Sequence, residues 1–183
     1  MIGYIVLALI VIGVIYVIGL YNGLVRLRNR VRNAWSQIDV QLKRRHDLIP
    51  NLVEVVKDYM AYEQETLTKV VEARNMAVNA KGVAETSKAE NVLTGALKSL
   101  FAVWENYPDL KSNNNAMQLQ EELTTTENKI AFARQYYNDS VMTMNNRCEM
   151  FPSNMIATSF AFKQEEFYEV PEEEKAVPKV DLR

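Results

Sequence analysis

Residues 2–20 read IGYIVLALIVIGVIYVIGL without one charged side chain, and the first charge in the chain is Arg26. About 20 apolar residues at about 1.5 Å each cross a hydrocarbon core of about 30 Å. The β-branched Ile and Val that dominate the run are modest helix formers. In lipid this matters little, because a helix satisfies its own backbone polar groups and an isolated strand cannot. The stretch predicts a transmembrane helix over 1–22. A cleaved signal peptide is the alternative. Against it stand the length of the run, the lack of Lys or Arg before it and the lack of an A-x-A cleavage site after it.

Working outward, Arg26, Arg28, Arg30 and Arg32 follow the run, then Lys43, Arg44 and Arg45. The positive-inside rule places that side in the cytoplasm, with the N-terminus outside and the body inside at the bacterial cytoplasmic (inner) membrane. On a helical wheel Leu24, Leu27, Val31, Ala34, Trp35, Ile38 and Leu42 fall in a sector of roughly 100° and the four arginines on the remaining arc. The membrane helix therefore continues as an amphipathic stem. The arginines are expected to contact anionic headgroups, at about 1 kcal/mol each near the surface. The bilayer competes for the same charges, so nucleic acid is not expected as a partner. Gly19 and Gly23 form a G-x-x-x-G at the end of the span, a small-residue pair that favours helix–helix association and a homo-oligomer.

The whole chain has 183 residues, 48% hydrophobic and 24% charged, with a net charge of −2. Beyond the anchor, roughly 155 residues suffice for one domain with a core. The single cysteine, Cys148, rules out an internal disulfide and suits a reducing compartment.

Further along, RRHDLIPNLVEVV carries Pro50, which has no N–H for the His46 carbonyl, so the helix is expected to kink or stop there. A stripe from Leu52 through Tyr59, Tyr62, Leu67 and Val71 then resumes towards Asn79. A turn is expected near Gly82, and Ser87 with Glu90 has the spacing of a capping box. Leu93, Leu97, Leu100 and Trp104 lead that helix to Pro108. SNNNAMQLQEEL suggests a new start with Asn115 at the cap and Gln118 three residues on. From Ala116 through Leu123, Ile130, Tyr137, Val141 and Met144 to Cys148 apolar residues recur every three or four positions. That stripe runs for roughly 33 residues, matching a long bundle helix that Phe151-Pro152 ends. Phe160, Phe162, Phe167 and Tyr168 are placed to dock on the bundle, and the final dozen residues have the Pro and Glu content of a disordered end. Asn138-Asp139-Ser140 reads as an accidental glycosylation triplet. The class is all-α: a transmembrane helix, an antiparallel helical bundle over 23–162 and an acidic tail over 163–183.

Tests for chemistry come out negative. Neither G-x-G-x-x-G nor G-x-x-x-x-G-K-[ST] is present, and one histidine cannot supply the E-x-x-H pairs of a di-iron bundle. Cys148 lies on the apolar stripe and reads as a small buried hydrophobe. Glu121, Glu122 and Glu127 read as a solvated helix face. No catalytic residue, metal or cofactor is assigned.

The blocks YNGLVRLRNRVRNAWSQIDVQLKRRHDLIPNLVEVVKDYMAYE, YPDLKSNNNAMQLQEELTTTENKIAFARQYYNDSVMTMN and NMIATSFAF–EEFYEV resemble the LemA family across essentially the whole chain, departing from it only at Asp58-Tyr59-Met60, where the family more often has a small residue after Lys57. The resemblance implies a single N-terminal membrane helix, a cytoplasmic antiparallel bundle and no enzymatic activity. Two functions follow as expectations. The first is a self-assembling structural scaffold at the membrane. The second is a monomeric or dimeric adaptor that binds an unidentified protein through a surface of Arg44, Arg45, His46, Asp47, Asn113 and Asn114.

Overall fold

A computed structural model of the chain describes residues 1–169. The final dozen residues, expected above to be disordered, lie outside that range. Every regular element among the described residues is an α-helix: α1 (Ile2–Val56), α2 (Gln64–Asn79), α3 (Gly82–Trp104), α4 (Pro108–Lys111), α5 (Asn114–Glu149) and α6 (Ser153–Ser159). The described residues make two compact units, one of residues 1–37 with 133–166, the other of 38–132 with 167–169. Helices α1 and α5 contribute to both.

In the first unit α1 and α5 run antiparallel. Trp35 meets Tyr137 with ring centroids 5.6 Å apart, and Tyr21 meets Phe160 and Phe162 at 4.8 and 5.7 Å. Leu24, Val31 and Ala34 of the stem are buried, as are Val141 and Met144 opposite. The Tyr137 hydroxyl donates to the Glu166 carbonyl at 2.9 Å, which ties the segment after α6 to α5. Burial, then the nearby Glu165 and Glu166 carboxylates, push its pKa up to about 12. Of the four aromatic residues expected to dock, Phe162 and Tyr168 are buried, whereas Phe160 and Phe167 remain exposed.

The core of the second unit joins Ile49, Leu52 and Val56 of α1 to Val70 of α2, Leu93, Leu100 and Trp104 of α3 and Leu123 of α5. Each such side chain contributes roughly 1.5–3 kcal/mol by leaving water.

Several local expectations are corrected. Pro50 does not end α1 but lies inside it. The reason comes from another helix: Arg74 Nε of α2 donates to the orphaned His46 carbonyl at 3.3 Å. The break falls later, at 57–63, where Met60 plugs the core while Tyr59 and Tyr62 face outward. Asn113 Nδ2 donates to the Tyr59 hydroxyl at 3.0 Å and the Tyr107 hydroxyl to Glu63 Oε1 at 3.3 Å, pinning that turn to the α3–α5 connection. Gly82, at φ 75°, opens α3 as the expected turn residue, since a side chain there would be strained. Ser87 and Glu90 are not a capping box. They lie inside α3, and Glu85 instead reaches back to accept from the Lys81 N–H at 3.1 Å. The cap of α5 is Asn113, whose Oδ1 accepts from the N–H groups of Asn115 and Ala116 at 3.0 and 3.1 Å, so the start lies two residues before the expected one.

Replacing Arg74 by Leu should cost about 1 kcal/mol, the penalty of leaving a partly buried carbonyl without its donor. In a Pro50→Ala background an N–H returns to the His46 carbonyl, and the same change should cost less. A double-mutant cycle on urea midpoints measures the difference. Equal costs in both backgrounds would dissociate Arg74 from the proline.

Candidate functional site

Residues 2–18 form an apolar helical surface that none of the other described residues covers. So large an apolar face is tolerated only in lipid or against another protein. Helix α1 continues from this surface into the first unit without a break. A collar of arginines follows. Arg26, Arg30 and Arg32 are exposed, but Arg28 is half-buried with its guanidinium 5.1 Å from the Phe162 ring centroid, so it is partly committed to holding that segment. The stem itself is not a free apolar stripe awaiting a partner, because its own chain covers Leu24, Val31 and Ala34.

Gly19 and Gly23 open onto a cleft of about 350 Å³ that Arg26 and Arg30 of α1 share with Thr143 and Arg147 of α5. A Cβ built on either glycine would meet nothing within 4 Å, so the pair leaves a notch in the helix. Thr143 donates its hydroxyl to the Asp139 carbonyl at 2.8 Å, leaving the guanidiniums as the polar donors of the cleft. Among the described residues no carboxylate forms an ion pair with Arg26, Arg30 or Arg147. The cleft therefore attracts anions. Sequence reasoning missed Arg147; its signal was a basic residue in the last turn of the helix expected to pair antiparallel with the stem.

The expected partner surface comes apart. Arg45 is 1% exposed, and its guanidinium bridges Glu90 of α3 and Glu127 of α5, with Thr94 Oγ1 accepting at 3.1 Å. His46 Nε2 lies 2.5 Å from the other Glu90 oxygen. Arg45 and His46 thus face inward, Asn113 caps α5, and only Arg44, Asp47 and Asn114 remain exposed. Arg44 pairs with Glu122 at 2.9 Å. Glu122 and Glu127 are therefore ion-pair partners of α1, correcting their reading as a solvated face. Burial pushes the Glu90 carboxyl up, but the His46 hydrogen bond and the Arg45 charge outweigh it and hold the group below the usual carboxylate range. The node is a structural clamp joining α1, α3 and α5.

Cys148 is half-buried rather than fully enclosed. Burial, then the Glu165 and Glu149 charges, push its thiol up, which keeps it protonated and poorly nucleophilic. No group of three His, Cys, Asp or Glu among the described residues could hold a metal ion.

Residues 34–182 match the LemA family, beginning just past the collar. Protein LemA of Metamycoplasma hominis is 29% identical over 160 residues, covering 84% of this chain and 72% of that protein. Magnetosome protein MamQ 1 of Paramagnetospirillum magneticum is 26% identical over 195 residues, covering 88% and 72%. Magnetosome protein MamQ of Magnetospirillum gryphiswaldense is 24% identical over 174 residues, covering 81% and 64%.

Proposed function

The chain belongs to the LemA family, and from that membership together with its geometry we propose that it is a self-assembling structural scaffold, held by a single pass at the cytoplasmic face of the bacterial inner membrane and without catalysis. The observation that carries this reading is the uncovered apolar surface of residues 2–18, continuous with a helix of the bundle. Such a helix hands the direction of the span to the folded body. The arginines that follow support a cytoplasmic body by the positive-inside rule, and the exposed Arg26, Arg30 and Arg32 would give it a second hold on anionic headgroups.

Self-assembly rests on Gly19 and Gly23. Their open notch lies where the span leaves the bilayer, and small residues four apart let helix backbones approach closely. Light scattering on the full-length protein in mild detergent should report an oligomer at micromolar concentration. Gly19→Ile with Gly23→Ile should shift it to monomer while leaving the helical circular dichroism unchanged, since neither glycine packs against the core. A wild-type monomer at that concentration removes the scaffold reading.

The exposure of Arg44, Asp47 and Asn114 favours an adaptor as the second reading. Photocrosslinkers placed at Asn114 and Asp47 in cells separate the two. Adducts to other copies of the chain support the scaffold, and adducts to one foreign protein support the adaptor.

A further inference from the structure

The corner between α5 and α6 exposes large apolar side chains: Met150, Phe151, Met155 and Phe160, with Phe151 78% exposed. Four such residues close together on one short segment are unusual on a surface that faces only water. Their height along α1 follows from the helix register. Trp35 meets Tyr137, and α1 and α5 run antiparallel from that contact. Counting equally along both helices brings Glu149 level with Gly23, about 18 Å nearer the span at about 1.5 Å per residue. Residues 150–152 then come level with Leu20 to Asn22, the last turn of the apolar run and the first after it. Two independent contacts agree with that count. Arg147 shares the cleft of Gly19 and Gly23. The Phe160 ring sits 4.8 Å from that of Tyr21, the residue that directly follows the apolar run.

We infer that the α5–α6 corner is a second, monotopic membrane contact, with Met150, Phe151, Met155 and Phe160 entering the boundary between headgroups and acyl chains beside the anchor. Arg147, one turn above the corner, lies at headgroup height with Arg26 and Arg30. The corner is thus amphipathic along the membrane normal, apolar below and cationic above, as interfacial segments are. The bilayer is its occupant because the span enters lipid at that same level. The two contacts fix the first unit against tilting, which a single helix passing through the bilayer does not.

The inference rests on the anchored reading, and its test reports on the two separately. In a Cys148→Ser background of the full-length protein, single cysteines at Phe151, Met155, Ile10 and Tyr62 are labelled with an environment-sensitive fluorophore. Each variant is reconstituted into vesicles of phosphatidylethanolamine and phosphatidylglycerol. Two quenchers are compared, aqueous iodide and a phospholipid with a nitroxide just below its glycerol backbone. Phe151→Cys and Met155→Cys should show blue-shifted emission, quenching by the lipid nitroxide and loss of iodide quenching. Tyr62→Cys, at a position 97% exposed in the other unit, should show the reverse. Iodide quenching at 151 and 155 with lipid protection at Ile10 overturns the second contact and leaves the anchor. Iodide quenching at Ile10 overturns both. Protection of 151 and 155 from both quenchers gives the patch to a second copy and also overturns the inference.

Discussion

Arg45→Met will destabilise the bundle by about 3–5 kcal/mol, the cost of removing one partner of a buried ion pair and leaving the other behind. Glu90 and Glu127 both pair with that one guanidinium, and Glu90 is itself buried. With Arg45 gone, His46 is the remaining partner of Glu90 in the node. Adding Glu90→Leu removes the stranded carboxylate, and the double variant should recover a large part of the loss, because apolar replacement of a whole buried pair is often neutral. Urea midpoints of the full-length protein in detergent, followed by circular dichroism, measure both. An Arg45→Met loss below about 1 kcal/mol would mean that the node is wet and weak.

The same node sets an acid limit. Glu90 is held below the usual carboxylate value of 4.5, so it releases its proton more readily folded than unfolded. Its contribution is present above that value and disappears as pH falls through the lower, folded pKa. Wild type should therefore lose stability on acidification below about pH 4.5 more steeply than Glu90→Gln. Arg45→Met should lose less over the same acidification, because burial then acts on Glu90 with only His46 opposing it and brings the folded pKa back up towards the unfolded one.

Long-period features were legible in the sequence, and features that depend on a partner far along the chain were not. The anchor and the α5 stripe each need only a local pattern, which is why residues 2–20 and Ala116–Cys148 read correctly as helices. That α1 runs on through Pro50 was not legible because the donor that serves the orphaned His46 carbonyl, Arg74, comes from another helix. The polar start of α5 read as a cap two residues late because any of three consecutive asparagines can cap, and the backbone selects Asn113. Arg45 and Glu90 were the most informative signal passed over. Glu90 lies three residues before Leu93 on the apolar stripe of α3, where a charge is costly unless something neutralises it. Arg45 sits three residues after Leu42, on the buried side of α1. Two opposite charges, each on a core-facing stripe, predict each other. Arg26, Arg30 and Arg147 differ in that no carboxylate among the described residues forms an ion pair with them, which distinguishes the proposed headgroup collar from the clamp.

How much damage the span tolerates tests the reading of the first twenty residues. Between residues 2 and 20 there are thirteen Ile, Val and Leu side chains. Each favours insertion by about 0.3–0.6 kcal/mol near the helix centre, roughly 4–8 kcal/mol together. One arginine there costs about 2.5–3.5 kcal/mol and also removes one apolar contribution. Ile10→Arg should therefore remain in the membrane fraction after alkaline carbonate extraction, whereas Ile10→Arg with Val14→Arg, at roughly 5–7 kcal/mol, should shift mostly to the supernatant. The released protein should stay helical, because the first buried residue of the fold is Leu24. Any binding it keeps to acidic vesicles should come from the arginine collar and weaken in high salt, since exposed charges are screened beyond about 10 Å at 0.1 M. If one arginine alone releases the chain, the span is only marginally stable in lipid. If two leave it resistant to carbonate, the α5–α6 corner and the collar hold the protein to the membrane more strongly than the anchor does.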